Sequence, residues 1–237
     1  MVPLHEPSLI IQWCCSTGDS ELDEIVRPLF GIWAVETALE FPQAQVIGID
    51  CETATIDNLS TPVPNYCFQH AVIRDGYTGL ENIKDNMVDF VMIRNAWLIN
   101  APEKKWMDTL REVYRVLRPG GWIEIHEIDA IGIRAETIRD IGQFLDDTGF
   151  EHPSHQYACV PVGEWHPVPA IRESGYLYKD LLERRFREAK KCICECAQID
   201  EEEYVNTTAI AMEECSSSKA SVCLYCYSAQ KPTVSPI

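Results

Sequence analysis

The sequence predicts an α/β fold: a doubly wound, mostly parallel sheet with helices on both faces. Three stretches carry that prediction. Ala44 to Asp50 (AQVIGID) follows a helix-like run from Gly31 to Phe41, and it is apolar at Val46, Ile47 and Ile49. A strand apolar on both faces is covered on both sides, as in a parallel sheet. Val88 to Ile93 (VDFVMI) repeats the pattern and closes on Arg94-Asn95. Glu103 to Leu117 carries Trp106, Leu110, Val113, Tyr114 and Leu117 at helical spacing, then passes through Pro119-Gly120-Gly121 into another strand, Trp122 to Ile128. Strands alternating with helices imply parallel neighbours joined by right-handed crossovers.

The remaining elements follow in order. Leu9 to Trp13 reads as a strand, and Ser16 to Ser20 as a loop by composition. The first clear helix opens at Gly31, places Ile32, Val35, Ala38 and Leu39 on one side, and ends before Pro42. Thr53 to Pro64 is polar and proline-bearing, a short helix or loop; Tyr66 to Val72 is the next strand. Arg118 falls in the last turn of the helix from Glu103, which Pro119-Gly120-Gly121 breaks. Arg134 to Gly149 reads as one helix, Tyr157 to Val162 as a strand, and Ala170 to Ala197 and Asp200 to Cys215 as helices. The last of these starts with Asp200 as cap and Glu203 three residues on. Ser221 to Ala229 closes the chain as a strand before a frayed tail.

Composition narrows the function. Lys and Arg number 20 against 37 Asp and Glu, a formal net charge of -17. Such a chain lacks the basic face that nucleic acid or anionic lipid requires. No apolar run approaches the ~20 residues of a membrane span, and the first residues lack the basic region of a signal peptide. The expected location is cytoplasmic, with the nucleus as the alternative compartment. The chain has 11 cysteines, none in the paired turns of a zinc knuckle. They are expected to be reduced and mostly buried. His152, His155 and His166 fit no tight ligand spacing, and no metal site is singled out.

Taken together, Gly31-Ile32-Trp33-Ala34, EFPQAQVIGID (Glu40 to Asp50), DNMVDFVMIRN (Asp85 to Asn95) and LREVYRVLRPGGWIEIHEID (Leu110 to Asp129) resemble a class I S-adenosylmethionine-dependent methyltransferase, in the fungal branch that includes secondary-metabolism regulators. PVGEW (Pro161 to Trp165) and the SVCLYCYSAQKP strand resemble the same branch. The resemblance implies a Rossmann-like domain over residues 22–232, preceded by a divergent segment (1–21) and followed by a tail (233–237).

It also implies S-adenosylmethionine as cofactor and a small-molecule or protein methyl acceptor as partner. Gly31 and Trp33 would belong to the cofactor loop, Asp50 would hold the ribose, Asp75 would stand on the adenine side, and Arg94 and Asn95 would meet the methionine end or the acceptor. His126 and Glu127 are the candidate bases for an acceptor hydroxyl or amine. Each has an alternative in plain structure: Asp50 as a turn cap, Asp75-Gly76 as a turn, Arg94-Asn95 as a salt-linked corner, His126 as a structural histidine. The chain departs from the family where a GxGxG loop should follow Leu22-Asp23. Residues 24–30 are slightly too long and lack glycine, and Leu29 and Phe30 bring bulk where backbone should approach ligand. A segment that roofs the acceptor site in relatives also has few residues left after Asp129. Two functions therefore stand: a working methyltransferase, or a methyltransferase-fold protein that no longer methylates and serves regulation, interaction or other small-molecule chemistry. A nicotinamide-dependent reductase is set aside, because GxGxxG is absent and Tyr176 and Lys179 have the wrong spacing.

Overall fold

The computed structural model describes residues 8–13, 32–50, 62–74, 76–96, 103–129 and 135–233. Gly31, Asp75 and the segment 22–30 lie outside those residues. The elements in chain order are β1 (Leu9–Trp13), α1 (Ile32–Glu40), β2 (Gln45–Asp50), β3 (Tyr66–His70), β4 (Val88–Arg94), α2 (Glu103–Val116), β5 (Leu117–Asp129), α3 (Ala135–Arg139), α4 (Ile141–Thr148), β6 (Glu151–Pro161), α5 (Pro169–Ala197), α6 (Glu201–Ser217) and β7 (Ser221–Gln230).

The strands form one seven-stranded sheet in the order β3-β2-β1-β4-β5-β7-β6. The ladders β1/β2, β1/β4, β2/β3 and β4/β5 are all parallel. From β1 the chain winds outward to β2 and β3, then returns to β4 on the other side and moves to β5. The order therefore reverses between β1 and β4, the kind of point at which open α/β sheets bind ligands.

Two apolar clusters explain why these strands are buried on both faces. Ala34 and Ala38 of α1 pack with Ile10, Val46, Phe90 and Met92. Trp106, Leu110 and Val113 of α2, with Ile141, Phe144 and Leu145 of α4, pack with Ile11, Val91, Ile93, Ile123 and Ile125. Trp106 is fully buried, and complete burial of a large apolar side chain stabilises by about 1.5–3 kcal/mol. The helical stripe read from Glu103 onward is thus the contact face of α2.

β1 is the strand from which the sheet winds, and it ends at Trp13 as the sequence predicts; Leu22-Asp23, where the resemblance places the start of the cofactor loop, lies outside the described residues. The Trp13 indole is buried and donates to Thr78 O at 2.7 Å, fixing the strand's end.

Other elements depart from the sequence reading for identifiable reasons. The stretch read as one helix from Arg134 to Gly149 holds two, Ala135–Arg139 and Ile141–Thr148, with Arg134 outside the described residues. At the break, the Tyr227 hydroxyl donates to Ile138 O at 2.8 Å, competing for the carbonyl that Gly142 N–H would use in a continuous helix. Arg118 lies in β5, where its Nε is 2.6 Å from Asp89 Oδ1 while Asp89 Oδ2 accepts Leu9 N–H at 2.7 Å. β6 begins at Glu151, earlier than expected. It is a sheet edge, exposed along most of its length and carrying Pro153, so it has no apolar alternation to read. Of the six described free cysteines only Cys194 is buried; Cys67 and Cys159 are exposed and Cys215, Cys223 and Cys226 are half-buried.

The described residues form two compact units: one from residues 8–156 and 225–233, the other from 157–224. In the second unit, α6 is capped as expected, Asp200 Oδ1 accepting Glu203 N–H at 2.7 Å. Tyr204 joins it to α5 by donating to Phe186 O at 2.9 Å. No helix of the described residues is long and apolar enough to cross a membrane.

Candidate functional site

Asp50 ends β2 and is fully buried. Its placement begins with Asn65, whose side-chain amide reaches three carbonyls, Ala38 O, Phe41 O and Ala44 O, at 2.8–3.1 Å and so clamps the corner between α1 and β2. Val46 N–H donates to Asn65 O, and the strand then runs in register with β3 as far as the Asp50/His70 pair. Ala71 N–H closes the end by donating to Asp50 O at 2.7 Å. A carboxylate is therefore held one strand from the switch point.

At the N-terminus of α1, Gln12 of β1 is buried and its Oε1 accepts Ala34 N–H at 3.1 Å. One orphan donor of the helix's first turn is thus taken by the protein itself. Trp33 is half-buried, its ring centroid 6.2 Å from that of Phe90 at an interplanar angle of 37°. It packs against the α1-side cluster.

The ends of β4 and β5 gather the other candidates. Arg94 and His126 are register partners. Asn95 turns the chain with φ of 53°, a left-handed conformation that asparagine tolerates better than most residues, and its N–H donates to His126 O at 2.9 Å. His126 Nε2 is 2.7 Å from Glu124 Oε1, and the histidine side chain is 38% exposed. Hydrogen bonding from His126 holds the Glu124 carboxyl below its ordinary range despite burial, and Arg94 adds to the effect. Glu127 alternates to the opposite side of the strand, is buried, and through Oε1 accepts Ala96 N–H at 2.7 Å.

Arg94, Asn95, His126 and Glu127 are thus brought together at two neighbouring strand ends. Asp50 stands two strands away, about 10 Å at ordinary strand spacing. Gly31 and Asp75 lie outside the described residues. Sequence reasoning missed Gln12, whose role depends on its contact with Ala34 at the start of α1, and Cys226. The latter joins Glu124 and His126 across β7: their three ligand-type atoms lie within 4.8 Å of one another. A separate groove of about 550 Å³ lies between α5 and α6, lined by Phe186, Tyr204, Met212 and the basic residues Lys179, Arg187 and Lys190. It contains none of the site candidates.

A mostly parallel sheet with this strand order and its switch point at β1/β4 has the Rossmann-like fold of S-adenosylmethionine-dependent methyltransferases. Residues 30–121 match the methyltransferase domain family Methyltransf_25. Among similar proteins, the secondary metabolism regulator laeA of Aspergillus fumigatus is 25% identical over 164 residues, covering 57% of this chain and 42% of that protein. The protein-methionine methyltransferase laeA of Emericella nidulans is 27% identical over 170 residues, covering 57% and 41%. Methyltransferase cpsF of Aspergillus campestris is 23% identical over 220 residues, covering 79% and 71%. The chain spans about two-fifths of the length of the laeA proteins.

Two solved structures share the fold. Phosphoethanolamine N-methyltransferase 2 of Haemonchus contortus, in complex with phosphomonomethylethanolamine and S-adenosylhomocysteine, aligns with a TM-score of 0.56 at 16% identity, over 97% of this chain and 50% of that one. The cyclopropane synthase MmaA2 from Mycobacterium tuberculosis aligns with a TM-score of 0.56 at 14% identity, over 97% and 80%.

Proposed function

We propose that the protein binds S-adenosylmethionine and transfers its methyl group to a small-molecule or protein nucleophile. The buried carboxylate of Asp50, at the carboxyl end of β2 beside the switch point, carries this reading. An acid in that place can accept hydrogen bonds from both ribose hydroxyls. Burial strengthens such contacts by excluding competing water. The bound cofactor supplies an electrophilic methyl group, and the protein's contribution is chiefly positioning.

Arg94 and Asn95 stand at the next strand end across the switch point, where the methionine portion or the acceptor would be oriented. His126, half-exposed and polarised by Glu124, is the base that takes the acceptor's proton. Glu127 holds Ala96 and so shapes the turn that follows Asn95. The roles of Gly31 in the loop and Asp75 on the adenine side rest on the family resemblance alone.

A second reading has its own support. Gln12 already occupies one amide of the α1 N-terminus, and the sequence at 24–30 has no glycine to bring backbone near a ligand. A chain that keeps the ribose end but loses the methionine end could bind weakly and serve regulation. Incubation with methyl-labelled S-adenosylmethionine and candidate acceptors separates the two readings. Label transferred to an acceptor, and lost in Asp50→Ala, supports the enzyme. Binding without transfer supports the regulatory protein.

A further inference from the structure

We propose that Glu124 and His126 of β5 and Cys226 of β7 form a divalent metal site of zinc-binding character. The three residues offer a carboxylate oxygen, an imidazole nitrogen and a thiol sulfur, all within 4.8 Å of one another, and each side chain is half-buried. This donor set is the mixture zinc accepts, at bonds of roughly 2.0–2.3 Å that place tetrahedral ligand atoms roughly 3.3–3.8 Å apart. The existing 2.7 Å contact between His126 Nε2 and Glu124 Oε1 would open slightly and the sulfur would close in, movements of about 1 Å that side-chain torsions supply.

The backbone does the preorganising. Glu124 and His126 are two residues apart on one strand, so they project from the same face. β7 is the neighbouring strand in the sheet and brings Cys226 to them. Ligands fixed on strands are held more precisely than ligands on loops.

A divalent ion would displace the thiol proton to solvent, and the carboxylate and thiolate together would neutralise the ion. Arg94, the register partner of His126, is the cation facing the cluster from β4. It would favour an anionic group at the fourth, open position, which the 38% exposure of His126 leaves accessible. Metal binding and proton acceptance are alternative uses of the same histidine nitrogen, so the base assignment above applies to the metal-free protein. The site itself does not depend on the methyltransferase reading.

The test is titration of the full chain, stripped of metal and kept reduced, with Co2+ as the spectroscopic probe and Zn2+ as competitor. One equivalent of Co2+ should produce a thiolate-to-metal charge-transfer band that Zn2+ abolishes. The band should vanish in Cys226→Ser and persist in Cys159→Ser, and the affinity should fall at least tenfold, by roughly the factor expected for disturbing a metal shell, in Glu124→Gln and His126→Gln. No band at one equivalent, or a band that survives Cys226→Ser, overturns the proposal. Should Cys226→Ser fail to fold by circular dichroism, Glu124→Gln decides: unchanged affinity overturns the site.

Discussion

Glu127 Oε1 accepts the amide N–H of Ala96 at 2.7 Å, tying the end of β5 to the turn that follows β4. The carboxylate is buried, and the turn it holds carries Asn95. Leaving a buried donor such as the Ala96 N–H unsatisfied costs about 1–3 kcal/mol. Glu127→Ala should therefore lower stability in urea unfolding by about 2 kcal/mol. Glu127→Gln keeps an acceptor oxygen and should retain most of the stability. If Glu127 positions the turn rather than taking a proton, Glu127→Gln should also retain most of the kcat of the wild type. A collapse of kcat with unchanged binding would make Glu127 the base.

Lys231 is expected to matter as much to the fold, although nothing in its sequence context announces it. Its Nζ donates at 2.7 Å to Asn86 Oδ1, Tyr114 O and Leu117 O and lies 4.7 Å from the Tyr114 ring centroid. The last carbonyls of α2 and the start of β5 thus share one cation. Lys231→Met leaves those oxygens without their donor and should cost about 2–3 kcal/mol in chemical denaturation, with the m-value unchanged. A loss below about 0.5 kcal/mol, the ordinary range for an exposed surface change, would mean that water replaces the ammonium freely.

Tyr227 supplies the alkaline signature. Burial first, then the charges of Tyr225 and Asp140, push its hydroxyl up to about 12 from an ordinary 10.0. Between those values the unfolded chain has lost the proton while the folded chain keeps it, so stability falls as pH rises. The contribution is fully present below pH 10 and is lost by about pH 12, for a total of about 2–3 kcal/mol. Tyr227→Phe removes this slope and the 2.8 Å bond to Ile138 O. It should lower stability by about 1 kcal/mol at neutral pH, and this deficit should shrink and then reverse as pH rises above 10, because only the wild type loses stability there. Parallel curves across that range would mean that Tyr227 titrates normally.

Much of this architecture was legible because a few residues have only one reasonable structural use. The apolar strands around Val46 and Phe90, the stripe from Trp106 to Val113 and the Asp200 cap each follow from local pattern. Pro119-Gly120-Gly121 marks a corner, and the reasons are geometric. Gly120 has φ of 79°, and a Cβ on Gly121 would lie 2.9 Å from Arg118 O and 3.1 Å from Val88 O. β6 was partly silent because an exposed edge strand needs no alternation. The break at Asp140 depends on a hydroxyl from Tyr227, 89 positions from the Ile138 carbonyl it meets. The cluster of Glu124, His126 and Cys226 was invisible for the same reason, since only the sheet order makes β5 and β7 neighbours. The positions of Asp50, Arg94, Asn95 and His126 at or beside strand ends were legible because a strand's carboxyl end can be read locally. Gln12 was missed because its contact with Ala34, 22 positions on, is set only by the packing of α1 against β1.

Isothermal titration of the full chain with S-adenosylmethionine, beside the Asp50→Ala variant, addresses the central claim most directly. The wild type should give weak but saturable heat that Asp50→Ala abolishes while its circular dichroism stays unchanged. No heat from the wild type at high ligand concentration, or equal affinity in the variant, would contradict the account of Asp50 as the ribose-holding acid.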